Sequence, residues 1–296
     1  YKGLGTICYL VDTGINIGHT EFASASITNL HSAFSEDAAI ADFDDVAGHG
    51  TAIASAIVGA NVGVSVQASL MNVKLFNSNA GTSSVGAIVT ALNAISLHHT
   101  DNTPTAVKVV CTPWTVTQND LIDDVIQSMN NANLVIVTAA GNDGVAISEK
   151  SPAGVSEIIT VGGYNNVWNV ASFTNTPGTA TGLVNIFGWS QEATLADFAN
   201  STAYANFTGT SVATGLAAGV ITQYIQKYPG HTVAEIKEAL LAEGHTKGAD
   251  QLVFPSANYD TAYHAMLTTW NVNEVQLSSI ESGRLGNVQD GTTVTY

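Results

Sequence analysis

Four polar residues in this 296-residue chain stand where an apolar run meets a glycine turn. Asp12 ends the run TICYLVD, and His49 stands between two glycines in GHGT. Asn142 follows LVIVTAAG, and Ser211 lies in GTS ahead of the small-residue run VATGLAAG. A carboxylate, an imidazole, an amide donor and a hydroxyl supply every role that nucleophilic acyl transfer needs. Their combination predicts a catalytic site in which Ser211 is the nucleophile.

Each of the four residues also has a structural interpretation when it is considered alone. Asp12 and Asn142 are residue types that favour turns, and the small residues after Ser211 would let a buried helix pack closely against a sheet. His49 gains little as a packing residue between two glycines, which favours a functional imidazole at a helix start. The four residues together favour catalysis, because each stands at the boundary of a predicted element.

The segments around these residues alternate between short apolar runs and helical patterns. Runs such as TICYLV, VKVVC and LVIVTAA are separated by helical segments such as SSVGAIVTALNAISLH and LIDDVIQSMNNA. Short apolar strands separated by helices of about ten or more residues predict a parallel sheet that is covered on both faces. We therefore predict a doubly wound α/β fold, with a mostly parallel sheet. In this class, function gathers at the carboxyl ends of the strands.

The segment HTVAEIKEALLAEG has the clearest helix signals. Thr232 is a typical N-cap residue, and Glu235 three positions later completes a capping box. Gly244 is a stop signal, so the sequence predicts a helix between Thr232 and Gly244.

The composition indicates a compact protein with excess negative charge. Hydrophobic residues make up 45% of the chain and charged residues 11%, and 8 Lys and Arg face 24 Asp and Glu, for a formal charge of −16. This charge argues against binding to nucleic acid or to an anionic membrane, and the apolar runs are shorter than the ~20 residues that span a bilayer. The chain begins at Tyr1 without Met, so we expect an upstream segment to have been removed or left out. The lack of a visible signal peptide therefore does not decide export.

The two cysteines lie within strand-like apolar runs, Cys8 in ICYLV and Cys111 in VKVVC. Their position favours buried free thiols over a disulfide, and the spacing of a CxxC metal site is absent from the sequence.

Five segments resemble the successive signatures of the subtilisin-like serine proteases: VDTGINIGHTEF, DVAGHGTAIASAIVG, VTAAGNDG, SPAGVSEIITVGG and FTGTSVATGLAAG. The first segment is most similar to the proteinase K branch of that family. The resemblance covers about residues 5–219, with weaker likeness to about residue 267. The chain order of acid, histidine and serine is also that of subtilisin.

This resemblance implies a subtilisin-like fold and a serine endopeptidase that hydrolyses protein or peptide substrates through an acyl-enzyme, without an organic cofactor. Ser211 would be the nucleophile, His49 its general base and Asp12 the carboxylate that orients the imidazole. Asn142 and the backbone N–H of Ser211 would form the oxyanion hole.

The chain departs from the family pattern at three places. Family members usually have His where this chain has Ala52, and they usually read ATPH where it reads ATGL at residues 213–216. The edge strand that binds substrate usually reads SLGG, whereas this chain has CTPWTV at residues 111–116. The substrate preference therefore cannot be transferred from the family. The substrate-binding residues implied by this placement are Thr112, Pro113, Trp114, Thr115, Ala140 and Gly141.

Members of the family often bind structural calcium, so structural calcium is an open option here, without assigned ligands. Two acidic clusters are candidates: Asp42, Asp44 and Asp45, and Asp120, Asp123 and Asp124. The first cluster lacks the spacing of a calcium loop, and the second follows a helical pattern, so both are predicted to be solvated acidic faces.

The predicted peptidase domain spans residues 1–268, and residues 269–296 form a polar C-terminal extension that reads as a linker or the start of an appended β module. The extension and the altered substrate strand leave an alternative open. In that alternative the chain is a non-catalytic structural or binding component of a larger particle or surface protein, with further domains or assembly partners. We expect an extracellular or particle-associated protein, with secretion as the favoured location.

Overall fold

The computed structural model describes most of the predicted peptidase domain. It covers residues 1–34, 42–77, 83–103, 105–165, 169–177, 184–243, 245–247 and 250–252. The predicted domain boundary at residue 268, the extension at residues 269–296 and the helix stop at Gly244 lie outside the described residues.

Nine strands of the described chain form one sheet. They are β1 (Ile7–Asp12), β2 (Ser26–Ser32), β3 (Ser69–Lys74), β4 (Lys108–Thr112), β6 (Leu134–Ala139), β8 (Ile159–Tyr164), β9 (Ile186–Trp189), β12 (His245–Lys247) and β13 (Asp250–Leu252). Their order in the sheet is β12-β13-β9-β8-β6-β4-β1-β3-β2. Every neighbouring pair is parallel except β12 and β13. Two short antiparallel pairs accompany it: β5 (Val116–Thr117) with β7 (Lys150–Ser151), and β10 (Ala193–Ala196) with β11 (Tyr204–Phe207).

Helices cover both faces of the large sheet. They are α1 (His49–Val58), α2 (Val85–Asp101), α3 (Asp120–Asn131), α4 (Thr210–Lys227) and α5 (Val233–Glu243). Side chains alternate along β1: Cys8 and Leu10 join the core under α1, α4 and α5, whereas Tyr9 and Val11 join the core under α2 and α3. This period of two within an almost wholly buried strand is typical of a doubly wound sheet. The predicted α/β fold is confirmed.

The small residues after Ser211 let α4 pack closely against its neighbours. A Cβ atom on Gly215 would lie 2.9 Å from Cγ2 of Ile53 in α1, and one on Gly219 would lie 2.7 Å from Cβ of Val64. Every residue at positions 210–225 is buried. Close packing of a buried helix is therefore a real role of this run, and α1 and α4 are in direct contact along it.

The predicted capping box at the start of α5 is present. The backbone N–H of Glu235 donates to Thr232 Oγ1 at 3.3 Å, and the backbone N–H of Thr232 donates to Glu235 Oε2 at 2.7 Å. The two residues satisfy each other's backbone donors at the helix start, as the sequence predicted.

One residue of the predicted solvated acidic faces is buried. Asp44 is exposed and Asp42 forms an ion pair with Lys74 at 2.8 Å, but Asp45 is only 7% exposed. The prediction was wrong for Asp45 because its carboxylate accepts hydrogen bonds from the neighbouring helix start. In the second cluster Asp120 and Asp124 are exposed and Asp123 is partly buried.

The described residues contain no group of three or more His, Cys, Asp or Glu side chains that could hold a metal ion. The predicted option of structural calcium stays untested. Among the helices that the structure describes, none is long and apolar enough to cross a membrane.

Both cysteines are free and buried, as predicted, on the neighbouring strands β1 and β4. Burial raises the pKa of the Cys8 thiol far above its usual range, and burial with the nearby Cys8 and Asp12 raises the pKa of Cys111 as well.

We expect neither thiol to react with a thiol reagent in the native protein at neutral pH, because the reactive form is the thiolate. Denaturation without reductant should release two thiols per chain, and one in the control variant Cys8→Ser. A count of zero in the parent protein would establish a disulfide instead.

Candidate active site

The four polar residues singled out in the sequence line one cleft of about 360 Å³. Asp12 is the last residue of β1, and Asn142 follows the end of β6. His49 is the first residue of α1, and Ser211 lies in the first turn of α4. Parallel strands end at the same edge of a sheet, and the helices that follow begin there. This edge therefore gathers residues that are far apart in the chain.

The imidazole of His49 is held by Asp12. Its Nδ1 atom lies 2.8 Å from Oδ1 and 2.9 Å from Oδ2 of Asp12, whose side chain is only 2% exposed. The backbone N–H of Thr13 also donates to Asp12 Oδ1, at 2.7 Å. An Nδ1–H that donates to a carboxylate selects the tautomer in which Nε2 carries the lone pair. His49 is thus set up to accept a proton at Nε2.

Opposing effects act on the pKa of His49. Burial lowers the pKa of this imidazole, whereas the charge of Asp12, the hydrogen bond to Asp12 and the more weakly acting charge of Asp45 raise it. The net result is a pKa above the ordinary value for histidine. The arrangement stabilises the imidazolium form that a proton-accepting histidine must adopt.

Ser211 lies in the first turn of α4, where the residue is 8% exposed. The residue before the helix, Gly209, has a φ of 151°, a conformation that favours glycine. A Cβ atom at Gly209 would lie 3.3 Å from both Ser211 Oγ and Asn142 Nδ2, so the hydroxyl and the amide flank the same small space. The first backbone N–H groups of a helix lack partners within it, and they favour negative charge.

Thr210 sets the orientation of the Asn142 amide. Asn142 Oδ1 accepts hydrogen bonds from the backbone N–H of Thr210 at 2.8 Å and from its hydroxyl at 3.0 Å. The same hydroxyl accepts the backbone N–H of Gly141 at 3.1 Å. Because the amide oxygen is engaged on the Thr210 side, the Nδ2 donors face the cleft beside Ser211. Thr210 was not assigned a role from the sequence, although it lies within the GTS segment.

Asn175 holds the loop that carries Asn142. Its buried side chain accepts the backbone N–H groups of Asp143 at 3.0 Å and Val145 at 3.1 Å, and donates to the carbonyl oxygen of Ala140 at 2.9 Å. Gly141 has a φ of 99°, and a Cβ atom there would collide with Asn175 Nδ2. The sequence did not indicate this residue, because a single asparagine in a loop has no distinguishing pattern.

Four of the six predicted substrate-binding residues line the cleft: Pro113, Trp114, Thr115 and Gly141. The indole of Trp114 is fixed by an Nε1–H bond to the carbonyl oxygen of Val11 at 2.9 Å and by an edge-to-face contact with Phe76. The link between β4 and β5 thus presents a rigid aromatic wall to the cleft.

The side chains of the other two predicted residues do not reach the cleft. Thr112 is fully buried as the last residue of β4, and its hydroxyl donates to the carbonyl oxygen of Val137. Ala140 is fully buried in a small cluster with Ile147 and Ala153. Strand pairing buries Thr112, and packing in the small cluster buries Ala140.

An ion pair at the cleft was not predicted from the sequence. Lys150 Nζ lies 2.6 Å from Asp143 Oδ2, and both residues line the cleft. Their 22% and 55% exposed side chains place opposite charges within reach of a bound ligand.

Two departures from the family pattern lie in the helix packing. Ala52 in α1 and Leu216 in α4 are buried in the core, and Gly215 packs against α1. None of these three residues lines the cleft.

Comparison with known proteins gives consistent results. A family model described as "Subtilase family" matches residues 3–257. The chain is 31% identical to an extracellular serine proteinase of Thermus sp. over 81% of its length and 55% of that protein. It is 31% identical to alkaline protease 1 of Aspergillus clavatus over 74% of its length and 51% of that protein. The chain therefore spans about half the length of the curated relatives it matches.

A solved structure shows the same fold. The crystal structure of a cold adapted subtilisin-like serine proteinase superimposes with a TM-score of 0.76, covering 86% of this chain and 90% of that one, at 24% identity. The resemblance found in the sequence and the predicted fold are both confirmed.

The carboxylate of Asp12 should control the pKa of His49. We expect the pKa of His49 to lie above the ordinary histidine value in the parent protein and to fall in Asp12→Asn, because the imidazolium loses its charged partner. The measurement is an NMR titration of the His49 ring protons, assigned by their absence in His49→Gln. Asp44→Asn removes an exposed carboxylate and serves as the control. A parent pKa at or below the ordinary value would contradict this assignment of the ion pair.

Proposed function

Because the chain belongs to the subtilase family, we propose that it is a serine endopeptidase that cleaves protein or peptide substrates through an acyl-enzyme on Ser211. The observation that carries this proposal is the common cleft of Ser211, Asn142 and the hydrogen-bonded pair of His49 and Asp12. The names of the two relatives, a serine proteinase and an alkaline protease, support the same reaction.

In the proposed reaction, His49 Nε2 accepts the Ser211 hydroxyl proton as Oγ attacks the carbonyl carbon of the scissile peptide. Asp12 keeps the ring in the required tautomer and stabilises the imidazolium. His49 then gives the proton to the leaving amine as the C–N bond breaks. Water, deprotonated in turn by His49, hydrolyses the ester and restores Ser211. None of these steps needs an organic cofactor.

The negative charge on the attacked carbonyl oxygen needs donors that are already in place. Asn142 Nδ2 and the backbone N–H of Ser211 are the proposed donors, since the first turn of α4 and the Asn142 amide border the same space. Donors that are held before the reaction stabilise the transition state without reorganisation. The hydrogen bonds from Thr210 to Asn142 support this role, because they restrict rotation of the amide.

The link at residues 113–115 is proposed as the substrate-binding wall. Peptides bind to such proteases as an added strand, so that main-chain hydrogen bonds give affinity and side-chain pockets give specificity. Pro113 has no N–H to contribute to such pairing. The neighbouring Trp114 ring offers an apolar surface on which a substrate side chain can pack.

We propose that the protein acts outside the cell. The Thermus relative, which is named an extracellular serine proteinase, supports this location. A separate expectation concerns partners: a protein of formal charge −16 is poorly suited to bind nucleic acid. The alternative, a non-catalytic structural or binding component, predicts a folded parent protein that is neither labelled nor active in the experiment below.

Replacement of Ser211 tests the reaction. We expect a fluorophosphonate probe to label the parent protein at Ser211, and we expect Ser211→Ala to be folded, unlabelled and about 10⁶-fold lower in kcat, the loss known from subtilisin itself. The measurements are mass mapping of the labelled peptide and turnover of a peptide substrate.

Ser55→Ala is a matched control, since Ser55 is a buried helical serine on the neighbouring helix α1. The control should remain labelled at Ser211. A folded parent protein that is neither labelled nor active would establish the non-catalytic alternative.

Replacement of Asn142 tests the oxyanion hole. Asn142→Ala should lower kcat by about 10²–10³-fold with little change in KM, as for the corresponding donor in subtilisin, because the donor acts on charge that exists only in the transition state. Asn142→Asp keeps an oxygen for Thr210 but removes the donor, so it should lose at least as much. The measurement is steady-state kinetics on a peptide substrate. A higher KM at constant kcat would mean that Asn142 binds substrate instead.

A further inference from the structure

A buried carboxylate outside the catalytic set lies beside it. Asp45 is 7% exposed, and its Oδ1 atom accepts hydrogen bonds from the Thr13 hydroxyl at 2.8 Å and from the backbone N–H groups of Ala47 at 2.9 Å and Gly48 at 2.8 Å. Its Oδ2 atom accepts the backbone N–H of Thr51 at 2.9 Å and the Thr51 hydroxyl at 2.7 Å. A buried charge is costly unless it is fully hydrogen-bonded, and these five donors meet that condition.

The five donors belong to the two segments that carry the catalytic pair. Thr13 follows Asp12 in the chain, and its hydroxyl also accepts the backbone N–H of Gly50 at 2.8 Å. The donors at residues 47, 48 and 51 surround His49 at the start of α1. Asp45 therefore joins the end of β1 to the first turn of α1 through its own carboxylate.

Asp45 also replaces a missing helix cap. The N-cap position of α1 is Gly48, which has no side chain to accept the backbone N–H groups of the first turn. A carboxylate at a helix start accepts such donors and interacts favourably with the helix dipole. The first turn of α1, which includes His49, thus depends on Asp45 for its anchor.

The loop before α1 is itself tied to the sheet. The Lys74 ammonium at the end of β3 donates to Asp42 Oδ2 at 2.8 Å and to the carbonyl oxygen of Asp44. The carbonyl oxygen of Phe43 accepts from the Asn72 side chain at 3.2 Å. These contacts hold the segment before Asp45 against β3, which is next to β1 in the sheet.

We propose that Asp45 is a positioning residue for the reaction proposed above: it holds the end of β1 and the start of α1 in the geometry that keeps the His49 imidazole paired with Asp12 and directed at Ser211. It does not contact the reacting atoms; it acts through Thr13 and the backbone around His49. This role rests on the proposed function.

The test compares Asp45→Asn with Asp44→Asn. The first variant has nearly the same shape, but its amide NH₂ faces donors, so hydrogen bonds on one side are lost. The second removes the same charge from an exposed neighbour in the same loop. For each protein, kcat and KM are measured at the plateau of its own pH profile and normalised to sites labelled to completion by a fluorophosphonate.

We expect Asp45→Asn to lower kcat per labelled site by about 10–100-fold while KM changes by about twofold or less, because a small misplacement of catalytic groups affects the chemical step. Asp44→Asn should match the parent protein. A lower melting temperature with parental kcat per labelled site would reduce Asp45 to a stabilising residue and overturn the proposal.

A second variant covers the case in which Asp45→Asn does not fold. Thr13→Val removes the hydroxyl that bridges Asp45 and Gly50, and it should lower kcat per labelled site, whereas Thr13→Ser should restore most of that loss. Parental kcat in Thr13→Val would overturn the proposal. When Asp45→Asn folds, it can be combined with Thr13→Val. The fold loss in kcat per labelled site of this double variant should be smaller than the product of the two single fold losses, because both substitutions break the same hydrogen bond between Thr13 and Asp45.

The same experiment separates the two proposals. A folded parent protein without labelling or turnover overturns the proposed function and the positioning role with it. A labelled and active parent protein with unaffected Asp45→Asn and Thr13→Val variants overturns the positioning role alone.

Discussion

The close packing of α1 against α4 is the constraint on which the site depends. Each helix begins at the carboxyl edge of the sheet, and each carries a proposed catalytic side chain in its first turn, His49 in α1 and Ser211 in α4. A Cβ atom at Gly215 would lie 2.9 Å from Cγ2 of Ile53 in α1, which is closer than an ordinary contact. The small residues of α4 thus allow the two helices that carry these side chains to approach closely within the hydrophobic core.

Buried hydrogen bonds then set the orientation of these groups. Only 11% of the residues of this chain are charged. The buried Asp45 side chain accepts hydrogen bonds from backbone groups next to His49. The buried Asn175 side chain does the same for the backbone of the loop that carries Asn142. A buried polar group that loses a partner costs more than one hydrogen bond contributes, so such clamps tolerate little deviation. The cleft therefore has rigid walls, although much of its lining comes from loops.

The sequence predicted the fold class and the four polar residues of the cleft for the same physical reason. Strands that are buried on both faces read as continuous apolar runs, and the chain leaves each of them through a turn. Asp12 and Asn142 stand at such ends, and His49 and Ser211 stand where small-residue helices begin. Because parallel topology collects these boundaries at one edge, residues that are remote in sequence could be grouped before any contact was known.

The sequence by itself determined the alternation of elements, the proposed class of chemistry and the position of the capping box at Thr232. Only the tertiary structure decided that Asp45 is buried rather than solvated, that Thr210 and Asn175 orient Asn142, and that Thr112 and Ala140 are buried and do not line the cleft. The physical reason is that strand and helix periodicity is local, whereas a loop side chain is buried or exposed according to partners from other elements. Asp45 meets Thr13, and Asn175 meets Ala140, through contacts that no local pattern encodes.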